Sequence, residues 1–263
     1  MMSEARLDNQ MVSPTLRVAT QNLNWGGEPK APSCDGEPRL VRLVPWLSNL
    51  NADILVLTEY KDGPLGDELK DRLSDAGYHC TISLDQPPFK LGTVIASRQP
   101  LATLNLPIPS PTDPWRSVGA RINDIDVFGF YFPLGEAKEP YWDWLLANAN
   151  ELRARNVLLV GDFNTGKCGI DEAGEGFDCQ DKHEALEVLG FVDTWRSAHP
   201  EGREYTWYSS AGNGFRLDYI WASPQISQSV QQVWHDHEAR ITRSSDHSAV
   251  IAELCFSERV RLT

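Results

Sequence analysis

Short apolar runs with strand character recur along the 263-residue chain, and they limit its fold more than any other feature. The runs predict β-strands at residues 16–20, 53–57, 92–96, 118–122, 125–131, 157–160, 215–221 and 249–254. Asn123 and Asp124 separate two of these runs and are typical of a hairpin turn. Several runs are continuously apolar, as in strands that are covered on both faces. The pattern therefore predicts a sheet-rich α/β fold.

Helical spacing of apolar residues falls between the strands, at residues 40–50, 67–73, 142–152 and 182–189. Asp67 is expected to cap the second of these helices. Pro45 lies inside the first, so we expect that helix to be kinked or to begin later than its apolar stripe. No composition shift, repeat or low-complexity tract divides the chain. We therefore expect one catalytic domain at residues 15–258, between a disordered lead at 1–14 and a tail at 259–263.

The cysteines and the apolar runs indicate the cellular compartment. Five cysteines are scattered and odd in number, which argues against a disulfide scaffold and favours a reducing compartment. No apolar run approaches the roughly 20 residues that a membrane span needs. Residues 1–14 lack the apolar centre of a secretion signal. We expect a monomeric cytoplasmic protein without a membrane segment.

The charge balance bears on the partners of the chain. It carries 37 acidic and 24 basic side chains, which gives a formal net charge of −13. Affinity for phosphate backbones normally comes from Lys and Arg, so this charge argues against a basic nucleic-acid coat protein.

Polar residues follow several of the predicted strands, in phase with the apolar residues two and four positions earlier. Asn22 follows the first strand in this way, Glu59 the second, and Asp162 and Asn164 the strand at 157–160. Because side chains alternate along a strand, these polar groups point the same way as core-facing residues. A carboxylate in that position is costly unless it is paired or binds a metal. Because several strands end in this way, we expect their polar side chains to meet in one site at the strand ends.

Three short segments have a catalytic and a structural interpretation. Gly-Asp-Phe-Asn at 161–164 fits an ordinary strand turn as well as a catalytic segment. Ser-Asp-His at 245–247 is, taken alone, better explained as a capping cluster. Arg-Leu-Asp-Tyr at 216–219 places Asp218 on a strand, and an Asp–His pair can fix the tautomer of an imidazole and raise its basicity.

The order of these segments is more specific than any one of them. Asn22, Glu59, Tyr131 and the segments at 161–164, 216–219 and 245–247 together resemble the endonuclease/exonuclease/phosphatase superfamily over residues 16–254. The segments at 131–135, 189–196 and 205–208 are similar to the branch of exonuclease III and the abasic-site endonucleases. The resemblance implies a DNase I-like fold, which is a four-layer α/β sandwich of two packed mixed β-sheets flanked by helices.

The resemblance also implies roles for the polar residues. Asn22 and Glu59, with Asp246 as a further ligand, hold a divalent metal, and oxygen ligands of this kind suit Mg²⁺, with Mn²⁺ as a substitute. Asp162 positions or activates the attacking water. His247 contacts the scissile phosphate and is oriented by Asp218.

Two further residues complete the implied centre. Asn164 holds the phosphate or the attacking water. Tyr131 contacts the phosphate or eases departure of the leaving oxygen. The reaction is then metal-assisted, in-line hydrolysis of a phosphoester.

Several basic and aromatic residues near these segments are candidates to bind substrate. Arg216, Arg116 and Lys90 lie near these segments and are candidates to bind phosphate, although Arg116 and Lys90 fit solvated surface cations equally well. Trp207, Phe215 and Leu217 match the wall of an abasic-site pocket, with plain core packing as the alternative, favoured for Leu217. The histidine and cysteine groups lack zinc-site spacing, so we expect solvated loop residues at these positions: His235, His237, Cys168, Cys179 and His183.

Departures from the exonuclease III pattern leave the substrate open. The stretch between Asn164 and Leu189 is short and acidic, the loop at 209–214 is short, and Leu134 replaces an amide that touches DNA in relatives. The first hypothesis is a Mg²⁺-dependent phosphodiester hydrolase for DNA, acting as an abasic-site endonuclease or 3′-exonuclease. The alternative is a phosphatase or phosphodiesterase for a smaller phosphoester. A catalytically idle binding protein ranks third, because Glu59, Asp162 and His247 are all present.

Overall fold

The computed structural model describes residues 15–28, 39–104, 113–174 and 176–256. The expected disordered lead at 1–14 and the tail at 259–263 lie outside these residues. The strands, numbered in chain order, are Thr15–Asn22 (β1), Ile54–Tyr60 (β2), Cys80–Ser83 (β3), Gly92–Ser97 (β4), Leu101–Thr103 (β5), Ser117–Ile122 (β6), Ile125–Tyr131 (β7), Val157–Asp162 (β8), Val192–Asp193 (β9), Trp207–Tyr208 (β10), Gly214–Phe215 (β11), Asp218–Ala222 (β12), Val230–Asp236 (β13) and Ala249–Cys255 (β14). The helices are Leu40–Asn49 (α1), Pro64–Asp75 (α2), Glu139–Leu152 (α3), Gln180–Val188 (α4), Thr194–Ala198 (α5), Pro224–Ser227 (α6) and Glu238–Ile241 (α7).

Two mixed sheets form the centre of the fold. The first has the order β13-β14-β1-β2-β4-β3, and the second has the order β5-β6-β7-β8-β12-β9. The β1–β2 and β7–β8 pairs are parallel, and the other neighbours within these sheets are antiparallel. Strands β10 and β11 form a separate ribbon.

Three apolar clusters define the layers. Val18 and Val56 of the first sheet pack against Val160 and Ile220 of the second. Helices α1 and α2 cover the outer face of the first sheet, and α3 and α4 cover the outer face of the second. These layers confirm the predicted four-layer sandwich, which buries each central strand on both faces and explains the continuous apolar runs.

Some helices and strands of the structure differ from the predicted ones. The run at 215–221 is split, since Phe215 belongs to the ribbon and the second sheet resumes at Asp218. The expected Asp67 cap is wrong, because α2 begins at Pro64 after Gly63, whose φ of +90° favours glycine. Helix α1 continues through Pro45, which lies on its solvent face, where water can satisfy the carbonyl that the proline leaves unpaired.

Candidate active site

The polar strand ends of both sheets meet at one edge of the sandwich. In the second sheet, Asp162 of β8 lies in register between Tyr131 of β7 and Asp218 of β12. Side chains on directly opposed residues of neighbouring strands lie about 4.5–5.5 Å apart, so these three form a row. In the first sheet, the parallel strands β1 and β2 carry Asn22 and Glu59 to the same edge.

Asn22 joins the two sheets across this edge. Its Nδ2 donates to Glu59 Oε1 at 3.2 Å and to Asp162 Oδ2 at 3.0 Å, and its side chain is fully buried. The backbone N–H of Trp25 donates to Glu59 Oε2 at 2.6 Å. Two carboxylates from different sheets therefore share one amide.

A β-bulge sets the direction of the Glu59 side chain. Leu55 and Leu57 pack in the helix-facing cluster, so regular alternation would turn Glu59 toward the helices and away from the site. The register of β2 with β4 shifts at this residue, and its φ is +54°. The bulge redirects the carboxylate toward Asn22. Glu59 therefore lies at the end of β2, as expected. The expectation that it shares a face with Leu55 and Leu57 is wrong, because the bulge turns its side chain away from that face.

The last residues of β8 admit only glycine at residue 161. Gly161 has a φ of +136°, and a Cβ there would lie 2.1 Å from the carbonyl oxygen of Phe130. The turn after β8 places the Asn164 N–H 2.9 Å from Asp162 Oδ1, and Asn164 Nδ2 donates to the carbonyl of Phe132 at 2.8 Å. Burial, followed by the charge of Asp218, raises the pKa of Asp162 to about 7.

His247 and Asp218 form the expected pair. Nδ1 of His247 lies 2.8 Å from Asp218 Oδ2, and both side chains are buried. Burial alone would lower the pKa of His247, but the charge of Asp218 and its hydrogen bond outweigh burial and raise the pKa to about 10. Ser245 Oγ accepts from the His247 N–H at 3.1 Å and donates to the Asn22 carbonyl at 2.6 Å. Asp218 therefore holds the imidazole and Ser245 holds the backbone of His247, so Nε2 is the ring nitrogen left for a ligand.

Tyr131 and Arg116 lie beside the carboxylate of Glu59. The Tyr131 hydroxyl donates to Glu59 Oε1 at 3.4 Å, and the Arg116 guanidinium lies 4.6 Å from the centre of the Tyr131 ring. Arg116 also approaches Asp113, with 3.5 Å between Nε and Oδ2. Asp246, next to His247, is partly exposed.

Trp207 and Phe215 lie on the other side of His247. Their ring centres are 5.7 Å apart, and the Trp207 ring centre is 6.4 Å from that of His247. Phe215 and Leu217 are nearly buried, whereas Trp207 is half-buried. Their position suits a pocket wall, and that role stays a prediction.

Comparisons with known proteins identify the family. The sequence model of the Endonuclease/Exonuclease/phosphatase family matches residues 19–247. The chain belongs to this family. It is a phosphoesterase hydrolase, and its solved structural relatives agree with the exonuclease III and abasic-site endonuclease branch.

Three of these relatives cover nearly the whole fold. An AP endonuclease from Archaeoglobus fulgidus is 24% identical, with a TM-score of 0.75 over 90% of this chain and 98% of that one. A 3′-5′ exonuclease from Neisseria meningitidis is 26% identical, with a TM-score of 0.74 over 92% of this chain and 100% of that one. A 3′ phosphatase from Neisseria bound to a product DNA hairpin is also 26% identical, with a TM-score of 0.71 and the same coverage.

The site of this family member fits a hard divalent cation. Glu59 and Asp162 both contact Asn22, and no described Lys or Arg side chain pairs with either carboxylate. Ligand atoms of Asp162, Asp218 and His247 also lie within 4.8 Å of one another. The two carboxylates form no ion pair with a described Lys or Arg. The side-chain oxygen of Asn22 accepts from the Asn24 N–H at 2.8 Å and keeps a second lone pair, so the three side chains supply the oxygen donors that Mg²⁺ prefers.

Arg216 does not lie in the substrate cleft, so its expected role in binding phosphate is wrong. It is 1% exposed. Its guanidinium donates to Asp171 at 2.8 and 2.9 Å and to Asp193 at 3.1 and 2.6 Å. Because both carboxylates bind its guanidinium, Arg216 anchors the segment of chain that carries Asp218.

Two further buried cations, which the sequence does not predict, lie behind the site. The Lys138 ammonium donates to the Asn164 carbonyl, behind the turn that holds Asp162. Arg39 donates to the carbonyls of Asn24 and Glu28, behind Asn22. Burial lowers the pKa of both cations. Both residues occur in polar stretches that are typical of a protein surface, so the sequence carries no signal of their burial.

Two histidines are buried, contrary to the expectation of solvated loops. His183 of α4 packs between Trp142, Tyr219 and Trp221, and His235 of β13 stacks 4.7 Å from Trp195.

Among the described residues, no helix has the length and hydrophobicity that crossing a membrane requires.

Proposed function

We propose that this protein hydrolyses phosphodiester bonds in DNA with Mg²⁺, as an abasic-site endonuclease or a 3′-exonuclease. The proposal is carried by the 2.8 Å Asp218–His247 pair beside Glu59 and the buried Asp162, neither of which forms an ion pair with a described Lys or Arg. The names of the AP endonuclease and the exonuclease among its structural relatives support the choice of DNA.

Asn22 and Glu59, with Asp246, would hold the metal, and Mn²⁺ can replace Mg²⁺ there. When bound, such an ion offsets charge on phosphate oxygens and lowers the pKa of coordinated water. The remaining chemistry belongs to the side chains of the site.

Asp162 is the residue that orients the attacking water and takes its proton. Oδ1 is held by the N–H of Asn164 and Oδ2 by the amide of Asn22, so the carboxylate has one fixed orientation. The water oxygen bonds to phosphorus as the bond to the leaving oxygen breaks opposite it. No covalent enzyme intermediate is required.

His247 binds the phosphoryl group through Nε2–H. Asp218 holds Nδ1, which fixes the ring orientation and favours the protonated imidazole. Asn164 and Tyr131 flank Asp162. Asn164 can contact the phosphate through the Nδ2 hydrogen that Phe132 does not accept, and Tyr131 through its hydroxyl in place of the 3.4 Å contact with Glu59. Trp207 and Phe215 form the pocket wall for the extruded sugar, and Arg116 lies beside Tyr131 at the entrance.

A substrate panel tests this proposal. The purified protein is given plasmid DNA, a duplex with one synthetic abasic site, a 3′-recessed duplex, and a set of phosphate monoesters and diesters. Each is tested with Mg²⁺ and with chelator, beside Asp162→Asn and His247→Asn. We expect Asp162-dependent cutting of DNA that chelation abolishes. Hydrolysis of a small ester alone, with all DNA intact, overturns the proposal.

A second candidate is a phosphatase or phosphodiesterase for a smaller phosphoester. The net charge of −13 and the internal pairing of Arg216 favour it, because few cations remain to bind a long phosphate backbone. The same panel separates the two functions. With either substrate, we propose a monomeric cytoplasmic enzyme whose catalytic domain spans residues 15–258.

A further inference from the structure

Two exposed aromatic residues near the site have an unusual backbone conformation. Trp25 is 54% exposed and Phe89 is 82% exposed. Their φ angles are +59° and +63°, in the left-handed region that bulky residues rarely adopt. Such conformations cluster at ligand-binding sites, where the surrounding structure holds them in place.

Both residues lie next to the end of β2 that carries Glu59. The N–H of Trp25 donates to Glu59, and Gly26 packs against Lys61, two residues beyond Glu59. The ammonium of Lys61 lies 5.5 Å from the centre of the Phe89 ring. Lys61, which directly follows β2, therefore connects the Phe89 ring to the strand end that carries Glu59.

A cleft of about 540 Å³ opens here, between the loop after β2 and the loop before β4. Its walls include Pro64, Leu65 and Pro88, with Phe89 and Lys90 at the rim. Lys61 forms an ion pair with Glu28, whereas no described residue pairs with the ammonium of Lys90. The cleft therefore combines an exposed aromatic ring with one lysine that no described residue pairs. Its lining also includes two carboxylates, Glu28, which pairs with Lys61, and Asp62, which accepts from the Tyr60 hydroxyl.

A nucleobase and its neighbouring phosphate match this combination. Every base has a π-face that stacks on an aromatic ring, and the adjacent phosphate is attracted by a lysine. A base inside a duplex is stacked on both faces and offers none to Phe89. An unpaired base at a strand end offers one.

We propose that this cleft binds an unpaired nucleobase that flanks the scissile phosphate, with Phe89 stacking on the base and Lys90 contacting the next phosphate. The proposal rests on the proposed function and narrows its substrate class to DNA with frayed or single-stranded ends.

Fluorescence of 2-aminopurine tests the stacking directly. The probe is placed at successive positions of a 3′ single-stranded overhang and of a blunt duplex, and each DNA is bound to Asp162→Asn protein with Mg²⁺. We expect quenching at one or two overhang positions, loss of that quenching with Phe89→Ala, and its retention with Phe89→Trp. Val188→Ala, which changes an exposed apolar residue of α4, is the matched control.

Kinetics provide the second readout. Stacking of one base contributes about 1–3 kcal/mol, so Phe89→Ala should raise KM for the overhang substrate roughly 5- to 150-fold and leave kcat nearly unchanged. Lys90→Gln should lower the slope of binding against salt by about 0.7, as for one lost phosphate contact.

The outcomes separate this inference from the proposed function. Equal quenching and equal KM for Phe89→Ala and wild-type protein overturn the stacking site, while Asp162-dependent cutting of DNA in the same samples leaves the nuclease function standing. Absence of any Asp162-dependent cutting overturns the nuclease function, and the quenching result still decides whether the cleft binds a base.

Discussion

Nδ1 of His247 lies 2.8 Å from Oδ2 of Asp218, and both side chains are buried beside Asp162. Asp218→Asn should lower kcat on the cleaved substrate by about 10²–10⁴-fold, because the amide neither fixes the same tautomer nor stabilises the protonated ring. Steady-state kinetics measure this loss, and circular dichroism checks that the fold is kept. A well-folded variant with wild-type kcat contradicts the role given to the pair.

Glu59→Gln should raise the Mg²⁺ concentration for half-maximal activity by at least about tenfold. The substitution removes the formal charge of a proposed ligand and keeps its shape, so saturating Mg²⁺ should restore part of the rate. Titration of activity against Mg²⁺ measures the shift. Glu253→Gln, at an ion pair with Arg17 away from the site, is the control and should leave the titration unchanged. Equal titrations for both variants count against Glu59 as a ligand.

Arg216→Met should lower the free energy of unfolding by about 3–5 kcal/mol, since it leaves Asp171 and Asp193 buried without their shared partner. Arg72→Met removes a surface pair with Glu68 and should cost less than about 1 kcal/mol. Urea unfolding measures both values. Similar small losses for the two variants contradict the structural role of Arg216.

Burial of His183 should make the protein less stable in mild acid. Burial lowers the pKa of its imidazole to about 4, against 6.5 as its ordinary value. The unfolded chain therefore takes up a proton as pH falls below 6.5, while the folded protein does so only near 4. The contribution of His183 to stability is constant above pH 6.5, and the loss that it causes reaches roughly 3 kcal/mol below pH 4.

His183→Phe should remove that part of the pH dependence. Urea unfolding of wild type and variant at pH 8 and pH 5 should show a loss about 2 kcal/mol larger for the wild type. Parallel losses in the two proteins indicate that His183 is protonated in the folded state.

The sequence predicted the fold class and the polar strand ends because both depend on local patterns. Alternation carries Asn22 and Asp162 to the face between the sheets, and parallel pairing brings Asn22 and Glu59 to one edge. The hairpin at 118–131 was also predicted, because its turn residues and apolar runs are contiguous, and in the structure it begins at Ser117.

The remaining features depend on contacts between distant parts of the chain. Arg216 binds Asp171 and Asp193, which lie 45 and 23 positions earlier, so its local sequence looked equally suitable for binding phosphate. The bulge at Glu59 interrupts the alternation that a pattern assumes. Burial of Lys138 depends on packing of its turn against the carbonyl of Asn164, which no local rule predicts.

The central claim is that Asp162 positions and deprotonates the water in hydrolysis of a DNA phosphodiester. Its most direct test is the single-turnover rate of cutting a duplex with one abasic site, or a 3′ end, in saturating Mg²⁺. We predict that Asp162→Asn lowers this rate by about 10²–10⁴-fold while DNA binding persists. Cutting by Asp162→Asn at the wild-type rate would contradict the account.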